Sequence, residues 1–231
     1  MTELAWLGVV RHGESTANAA ADRAEAAGLE VIDIAERDAD VPLSPTGEAQ
    51  ARAVGKLLPE LRPDVVVSSP YRRAVQTATL AVNGALPIRL DERLRDRELG
   101  ILDLLTRHGV AARFPQEAAR RARLGPFYYR PPGGEAWTDI TLRLRGVLRD
   151  LREGYPDGRV LLVAHEAVVL LLRYLIEELT EGDLLGFAAA RLHNASLTSW
   201  TREGDRLRLA TYNDVDHLAE AGVEATRQAH V

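Results

Sequence analysis

Apolar residues fall along this chain in two alternating kinds of run. Residues 4–10 are apolar throughout and stop at Arg11-His12-Gly13, the mark of a strand buried on both faces and followed by a turn. Residues 14–40, rich in alanine and charge, read as a helix and then an irregular connection. Ser44-Pro45 has the form of an N-cap with proline at the first helical position, and Ala49, Ala53, Val54, Leu57 and Leu58 follow at helical spacing. Residues 65–67 predict a short β-branched strand. Ser69-Pro70 repeats the cap-and-proline signal ahead of a helical face at Ala74, Ala78, Ala81 and Val82. A strand is expected at 86–90, and a helix carries the stripe Trp137, Ile140, Leu144, Val147, Leu148 and Leu151. Then come a strand at 159–164, a mostly apolar helix at 168–179, and two last strands at 196–201 and 207–212. Residues 101–132 are the least regular and are expected to form a helical insertion over the site. Residues after Leu218 read as a polar tail.

Strands that alternate with helices imply an α/β fold with a largely parallel sheet. The expected organisation is one domain over residues 1–218, with 101–132 as a covering insertion and 219–231 as the tail. In such folds chemistry gathers beyond the carboxyl ends of the strands. Three segments sit there: Arg11-His12-Gly13, Ser68-Ser69-Pro70 and His165-Glu166.

Composition narrows the function. The 231 residues are 46% apolar, enough for one substantial core. Charged residues make up 27% and the net charge is -5, which asks for neither nucleic acid nor an anionic membrane. Of the 29 basic residues only Lys56 is lysine, so an arginine in any one window says little. The absence of cysteine excludes disulfides, thiol catalysis and cysteine-ligated metals. Residues 1–6 carry Glu3 and no basic stretch, so no signal peptide is expected. The longest apolar run, 160–176, is interrupted by His165, Glu166 and Arg173 and is too short and polar to span a bilayer. A cytoplasmic protein is the expectation.

Arg11-His12-Gly13-Glu14-Ser15 follows a strand directly. A neutral imidazole is a competent nucleophile toward phosphorus if its tautomer is fixed and an anion cradle lies beside it. Arg11 offers forked donors to phosphate oxygens, Gly13 a close backbone approach, and Ser15 and Asn18 further neutral donors. A second triplet, Arg107-His108-Gly109, has no buried strand before it and reads as a surface loop. Arg72 and Arg73 fall in the first turn of a helix, where positive charge opposes the dipole, so an anion nearby would explain them. His165 is the second histidine at a strand end and could offset charge on a transferring phosphoryl group. Asp96 and Glu98, just after a strand, could protonate a leaving oxygen. Glu135 falls at the start of the next helix, where the dipole favours a carboxylate. The chain has no Gly-rich loop ending in Lys-Ser or Lys-Thr and no Gly-x-Ser-x-Gly elbow. Its histidines lack zinc-ligand spacing, so no metal is required.

The ordered set resembles the histidine phosphatase superfamily, in its phosphoglycerate mutase-like branch. The resemblance runs over nearly the whole chain. It is carried by Val9-Val10-Arg11-His12-Gly13-Glu14-Ser15-Thr16-Ala17-Asn18, Pro42-Leu43-Ser44-Pro45-Thr46-Gly47, and Ser68-Ser69-Pro70 through Thr77. Glu92-Arg93-Leu94-Arg95-Asp96-Arg97, Pro132-Gly133-Gly134-Glu135, residues 160–165, and Asn194-Ala195-Ser196-Leu197-Thr198 complete it. It implies a three-layer fold with a mixed, mostly parallel sheet between helices, and no metal or other cofactor. It implies that His12 is the phosphorylated nucleophile, that Arg11, Arg73 and His165 form the phosphate pocket, and that Asn18 adds a contact. Asp96 matches the family acid, which is usually glutamate; Glu98 is the nearby substitute. Glu166-Ala167 stands where many members carry glycines, which adds a carboxylate beside the pocket. The implied activity is hydrolysis of a small phosphate monoester in two displacements. A mutase, which would return the phosphoryl group to another hydroxyl, and a phospho-ligand binding protein without catalysis are the alternatives. The expected partner is a small phosphorylated substrate, with no nucleic acid and no membrane. A homodimer is compatible with the chain, whose residues carry no mark of oligomeric state. Six arginines in the covering segment (Arg107, Arg113, Arg120, Arg121, Arg123 and Arg130) face only Asp103 and Glu117, which would suit a polyanionic or carboxylated ester.

Overall fold

The computed structural model of the chain describes residues 3–227; residues 1–2, and residues 228–231 at the end of the expected tail, lie outside it. Its elements are β1 (Trp6–Arg11), α1 (Thr16–Ala26), α2 (Pro45–Gly55), α3 (Leu58–Leu61), β2 (Val65–Ser68), α4 (Arg72–Val82), β3 (Ile88–Leu90), α5 (Arg107–Arg113), α6 (Pro115–Tyr128) and α7 (Trp137–Gly154), followed by β4 (Arg159–Ala164), α8 (Glu166–Ile176), α9 (Glu181–Ala189), β5 (Leu197–Glu203), β6 (Arg206–Asp214) and α10 (Asp216–Glu220).

The six strands form one sheet in the order β3-β2-β4-β1-β5-β6. The first four run parallel; β5 is antiparallel to β1, and β6 to β5. Late in the chain, β4 enters between β2 and β1, with Val163 beside both Val10 and Ser68. This insertion sets the carboxyl ends of β1, β2 and β4 side by side, at the kind of switch point where open α/β sheets bind ligands.

The central strands lack alternation because both faces are covered. Leu7, Val9, Val65, Val67, Val160 and Leu162 share one core with side chains of α7 and α8. Trp6, Val10, Val66, Leu161 and Val163 share the other with α2, α4 and Leu218 of α10. Each such side chain contributes roughly 1.5–3 kcal/mol on burial, so a register slip would be costly on both faces at once.

Several expectations from the sequence need correction. Ser44 does cap α2, accepting from Gly47 N at 3.0 Å. The helix ends at Gly55, however, and Leu58 opens the separate α3, because Pro59 has no N–H to give back to the Gly55 carbonyl. Ser69 does not cap α4, whose N-cap is Tyr71 with no side-chain hydrogen bond; the Ser69 hydroxyl accepts from Tyr71 N at 3.3 Å and meets His165 at 2.8 Å. Arg107-His108-Gly109 is not a loop but the first turn of α5, capped by Thr106, whose Oγ1 accepts from Gly109 N at 3.0 Å. Glu135 precedes α7, and the first-turn carboxylate there is Asp139, which accepts from Ala136 N at 2.8 Å. Residues 101–132 hold α5 and α6, the latter kinked at Gly125 (φ 76°) before Pro126. Beyond Leu218 the chain finishes α10 and then docks: Thr226 bonds the side chains of Gln50 and Asn194. Among the described residues no helix is long and apolar enough to cross a membrane.

Candidate active site

β1 ends at Arg11, and the next residue is held on two sides. His12 N donates to Ala164 O at 2.9 Å, and His12 O accepts from Ala195 N at 3.2 Å. Gly13 is needed where the chain turns: a Cβ there would lie 2.5 Å from Gly47 O, and one on Gly47 would lie 1.9 Å from Glu14 O. The two backbones cross at a distance that only glycines permit. Gly13 N donates to Thr77 Oγ1 at 3.0 Å, so the close approach that this glycine provides is to protein backbone and not to an anion.

The His12 ring is set by the same turn. Its Nδ1 lies 2.7 Å from Gly13 O. A carbonyl can only accept, so Nδ1 carries the proton and Nε2 keeps its lone pair. Arg73 Nε–H points at that lone pair from 3.3 Å. Burial pushes the imidazole well below its ordinary pKa, and the charges of Arg73, His165 and Arg11 push the same way. His12 is thus a neutral base of fixed tautomer on the wall of a cavity of about 540 Å³.

Arg73, at the start of α4, is 4% exposed yet bonds two carboxylates, Asp38 (Nη1–Oδ1 2.8 Å) and Asp96 (Nη2–Oδ2 2.9 Å). Arg72, its neighbour, points outward. Asp96 Oδ2 also lies 3.2 Å from His165 Nδ1, a charge contact without hydrogen-bond alignment, so one carboxylate oxygen sits between the guanidinium and the second imidazole. Burial alone would raise the Asp96 carboxyl, but His165 and Arg73 hold it well below the usual carboxylate range. His165 is fully buried, Nε2 bonds Ser69 Oγ at 2.8 Å, and its ring centroid lies 5.1 Å from that of His12. Burial lowers its pKa against the pull of Asp96. Arg11 reaches the Leu192 carbonyl and, at 3.3 Å, Glu166 Oε2, which also meets Arg191 at 3.3 Å.

His12, Asp96 and His165 place ligand atoms within 4.8 Å of one another. A cation there would face the guanidiniums of Arg73 and Arg11, whereas an anion would be welcomed by both.

The remaining sequence candidates divide. Ser15 and Asn18 line the cavity but form a capping box for α1: Asn18 N donates to Ser15 Oγ at 3.1 Å and Ser15 N to Asn18 Oδ1 at 3.0 Å. Asn18 Oδ1 also accepts from Asn194 at 3.3 Å. Glu98 lines the cavity with its carboxylate bonded to Tyr71 OH at 2.7 Å. Of the six covering-segment arginines, Arg107 and Arg121 face the cavity; Arg113 pairs with Glu30 and Arg130 with Asp139. Arg120 and Arg123 are solvent-exposed.

Residues 7–215 match the family described as histidine phosphatase superfamily, branch 1. The chain belongs to the histidine phosphatase superfamily. This histidine phosphatase is 30% identical over 182 residues to the uncharacterized phosphatase PhoE of Bacillus subtilis, covering 78% of this chain and 86% of that one. It is 34% identical over 142 residues to glucosyl-3-phosphoglycerate phosphatase of Mycobacterium tuberculosis, a match that spans 58% of this chain and 63% of the relative. A 2,3-bisphosphoglycerate-dependent phosphoglycerate mutase of Rhizobium etli is 35% identical over 191 residues, 77% of this chain and 82% of that one. Among solved structures, the mycobacterial glucosyl-3-phosphoglycerate phosphatase in complex with VO3 superposes with a TM-score of 0.74 at 30% identity, covering 91% of this chain and 99% of that one.

Sequence reasoning missed Asp38, Tyr71, Thr77 and Arg191 at this site. Asp38 was hidden among Asp33, Glu36 and Asp40 in one irregular stretch, with no periodicity to single it out. Thr77 stands one helical turn beyond Arg73 and accepts from Gly13 N while donating to Arg73 O at 2.7 Å, a link visible only once α4 lies under the turn.

Proposed function

We propose that the protein is a phosphatase that hydrolyses the phosphate monoester of a small metabolite through a phosphohistidine at His12 Nε2. The observation that carries this is the His12 ring itself: Nδ1 is committed to Gly13 O, so Nε2 is unprotonated, and its lone pair is held toward Arg73 Nε on the cavity wall.

In the first displacement His12 Nε2 attacks phosphorus, the bond to the leaving oxygen breaks, and that oxygen takes a proton. Arg11, Arg73 and His165 hold the three peripheral oxygens, which take the place of Asp96 Oδ2 between Arg73 and His165. A dianionic phosphoryl group arriving beside Asp96 raises that carboxyl's proton affinity and makes it a competent acid. Water then attacks the phosphohistidine, gives its proton to Asp96, and phosphate leaves. Glu98 is the substitute for Asp96 in this scheme, with its carboxylate already engaged by Tyr71. Ser15 and Asn18 shape the turn and add contacts at the pocket edge.

The substrate's other end meets a mixed wall. Ile32, Ile34, Leu104 and Trp137 supply apolar surface, and Arg107 and Arg121 supply positive charge. Such a wall fits a phosphate ester whose leaving group carries a second anionic group on a partly apolar frame, and a cavity of about 540 Å³ holds one metabolite of that kind. The same reading places the enzyme in the cytoplasm, among such metabolites.

The test is a panel of phosphorylated metabolites assayed for released phosphate, with phosphoglycerate isomerisation assayed in parallel with and without a bisphosphorylated primer. Phosphate release from carboxylated or bisphosphorylated esters, without isomerisation, is expected. Isomerisation that outruns release would make the protein a mutase.

A further inference from the structure

Every N–H of the Arg73 guanidinium is directed, and its two edges face different partners. The side edge, Nε and Nη2, faces His12 Nε2 at 3.3 Å and Asp96 Oδ2 at 2.9 Å. The end, Nη1 and Nη2, is forked by one residue. Asp38 accepts there through Oδ1 at 2.8 Å, through Oδ2 at 3.4 Å and, from Nη1, through its own backbone carbonyl at 2.6 Å. Asp38 opens a 3-10 turn, Asp38–Asp40, in the connection between α1 and α2, and its side chain stays partly exposed to the cavity. The reacting phosphoryl group has to arrive at the side edge, because His12 is there. The oxygen it displaces there is Asp96 Oδ2, whose place between Arg73 and His165 it takes. The fork from Asp38 lies on the other edge and includes a carbonyl that cannot leave unless the turn moves.

We propose that Asp38 is the positioning residue of Arg73: it clamps the guanidinium end-on so that the Nε/Nη2 edge is aimed at the phosphoryl group, and it stays clamped through turnover. The proposal rests on the reading above that Arg73 binds the phosphoryl group. A free arginine side chain samples many rotamers, and a bidentate fork removes that freedom before substrate arrives. The same geometry would place two other roles on Asp38: a proton donor to the leaving oxygen, or a plug that substrate must expel. The groups around Asp38 are Arg73 and Tyr71 at the start of α4, Asp96 in the segment after β3, and Asp103 beyond it. Burial raises the Asp38 carboxyl above its ordinary value, against the pull of Arg73. Protonation as pH falls therefore loosens the clamp earlier than an ordinary aspartate would, and kcat/KM acquires an acid limb that Asp38→Asn removes.

The experiment is a double-mutant cycle with Asp38→Asn, Arg73→Ala and the pair. It is read as kcat and KM on p-nitrophenyl phosphate, whose leaving group needs no proton, and on glycerol phosphate, whose alkoxide does. Inhibition by inorganic phosphate and melting temperature are measured alongside. Expected for Asp38→Asn is a loss in kcat/KM of roughly tenfold to thirtyfold, equal on both substrates, with weaker phosphate inhibition and little further loss when it is added to Arg73→Ala. A loss confined to glycerol phosphate would make Asp38 the proton donor and overturn the proposal. Tighter phosphate inhibition would make it a plug and do the same, as would additive losses in the pair. If Arg73→Ala itself keeps full activity, the reading of the pocket fails rather than the role of Asp38.

Discussion

At the inner end of the cavity each ionisable group is held by at least two neighbours, while along the outer wall Arg107 and Arg121 face solvent. Arg11 is tied to the Leu192 carbonyl and Glu166, Arg73 to His12, Asp38 and Asp96, and His165 to Ser69 and Asp96. The inner groups hang from strand ends and from the first turn of α4, positions that the sheet itself fixes. By contrast, Arg107 and Arg121 belong to α5 and α6, and among the described residues neither guanidinium makes an ion pair. Burial lowers the Arg121 pKa, and the like charge of Arg107 lowers it further. A saturated, preorganised inner pocket is what a common chemical step needs. Solvent-exposed charge without an ion-pair partner is what a variable leaving group can use.

The comparison breaks first at His12. His12→Ala is expected to lower turnover by about ten-thousandfold or more on every ester, since it removes the nitrogen that forms the covalent bond to phosphorus. Arg11→Ala is expected to cost about tenfold to a hundredfold in kcat/KM, alike for all substrates, as loss of one charged hydrogen bond to the phosphoryl group would. An effect that varied widely with the leaving group would move Arg11 from the inner set to the outer one.

The inner pocket also writes itself into stability. His12 and His165 are both held below the ordinary imidazole pKa, chiefly by burial. Below about pH 6.5 the unfolded chain binds protons that the folded chain refuses, so stability falls as pH falls. The depressed Asp96 carboxyl acts in the same direction but lower, near and below about pH 4. The melting temperature should therefore drop between about pH 7.5 and about pH 5.5, and drop less in His12→Ala, which a thermal melt series checks. The smallest effect is expected at the outer wall. Arg121→Ser should raise KM about twofold to fivefold for esters with a second anionic group, more than for p-nitrophenyl phosphate, and added salt should shrink the difference.

Much of the inner pocket was legible in the sequence because strand ends are legible. An apolar run that stops at Arg11-His12, and another that stops at His165, can be paired without coordinates once a parallel sheet is inferred. The strands themselves lie within one or two residues of their expected ends. What could not be read depends on what a small polar side chain meets across the chain. Ser69 looks like a helix cap, but Tyr71 takes the cap position and the Ser69 hydroxyl meets Tyr71 N and His165. Arg107-His108-Gly109 looks like a loop and is helical, because Thr106 caps it and Gly109 packs where a Cβ would lie 1.9 Å from Glu30 O. Asp38 lies in a stretch without periodicity, and only the fold brings it to Arg73.

The central claim concerns one nitrogen. Mixing enzyme with a radiolabelled phosphate ester and quenching within the first turnover should trap label on the protein, stable in alkali, lost in acid, and mapped to His12. Multiple turnovers with no such species, or label carried on a different residue, would contradict the account.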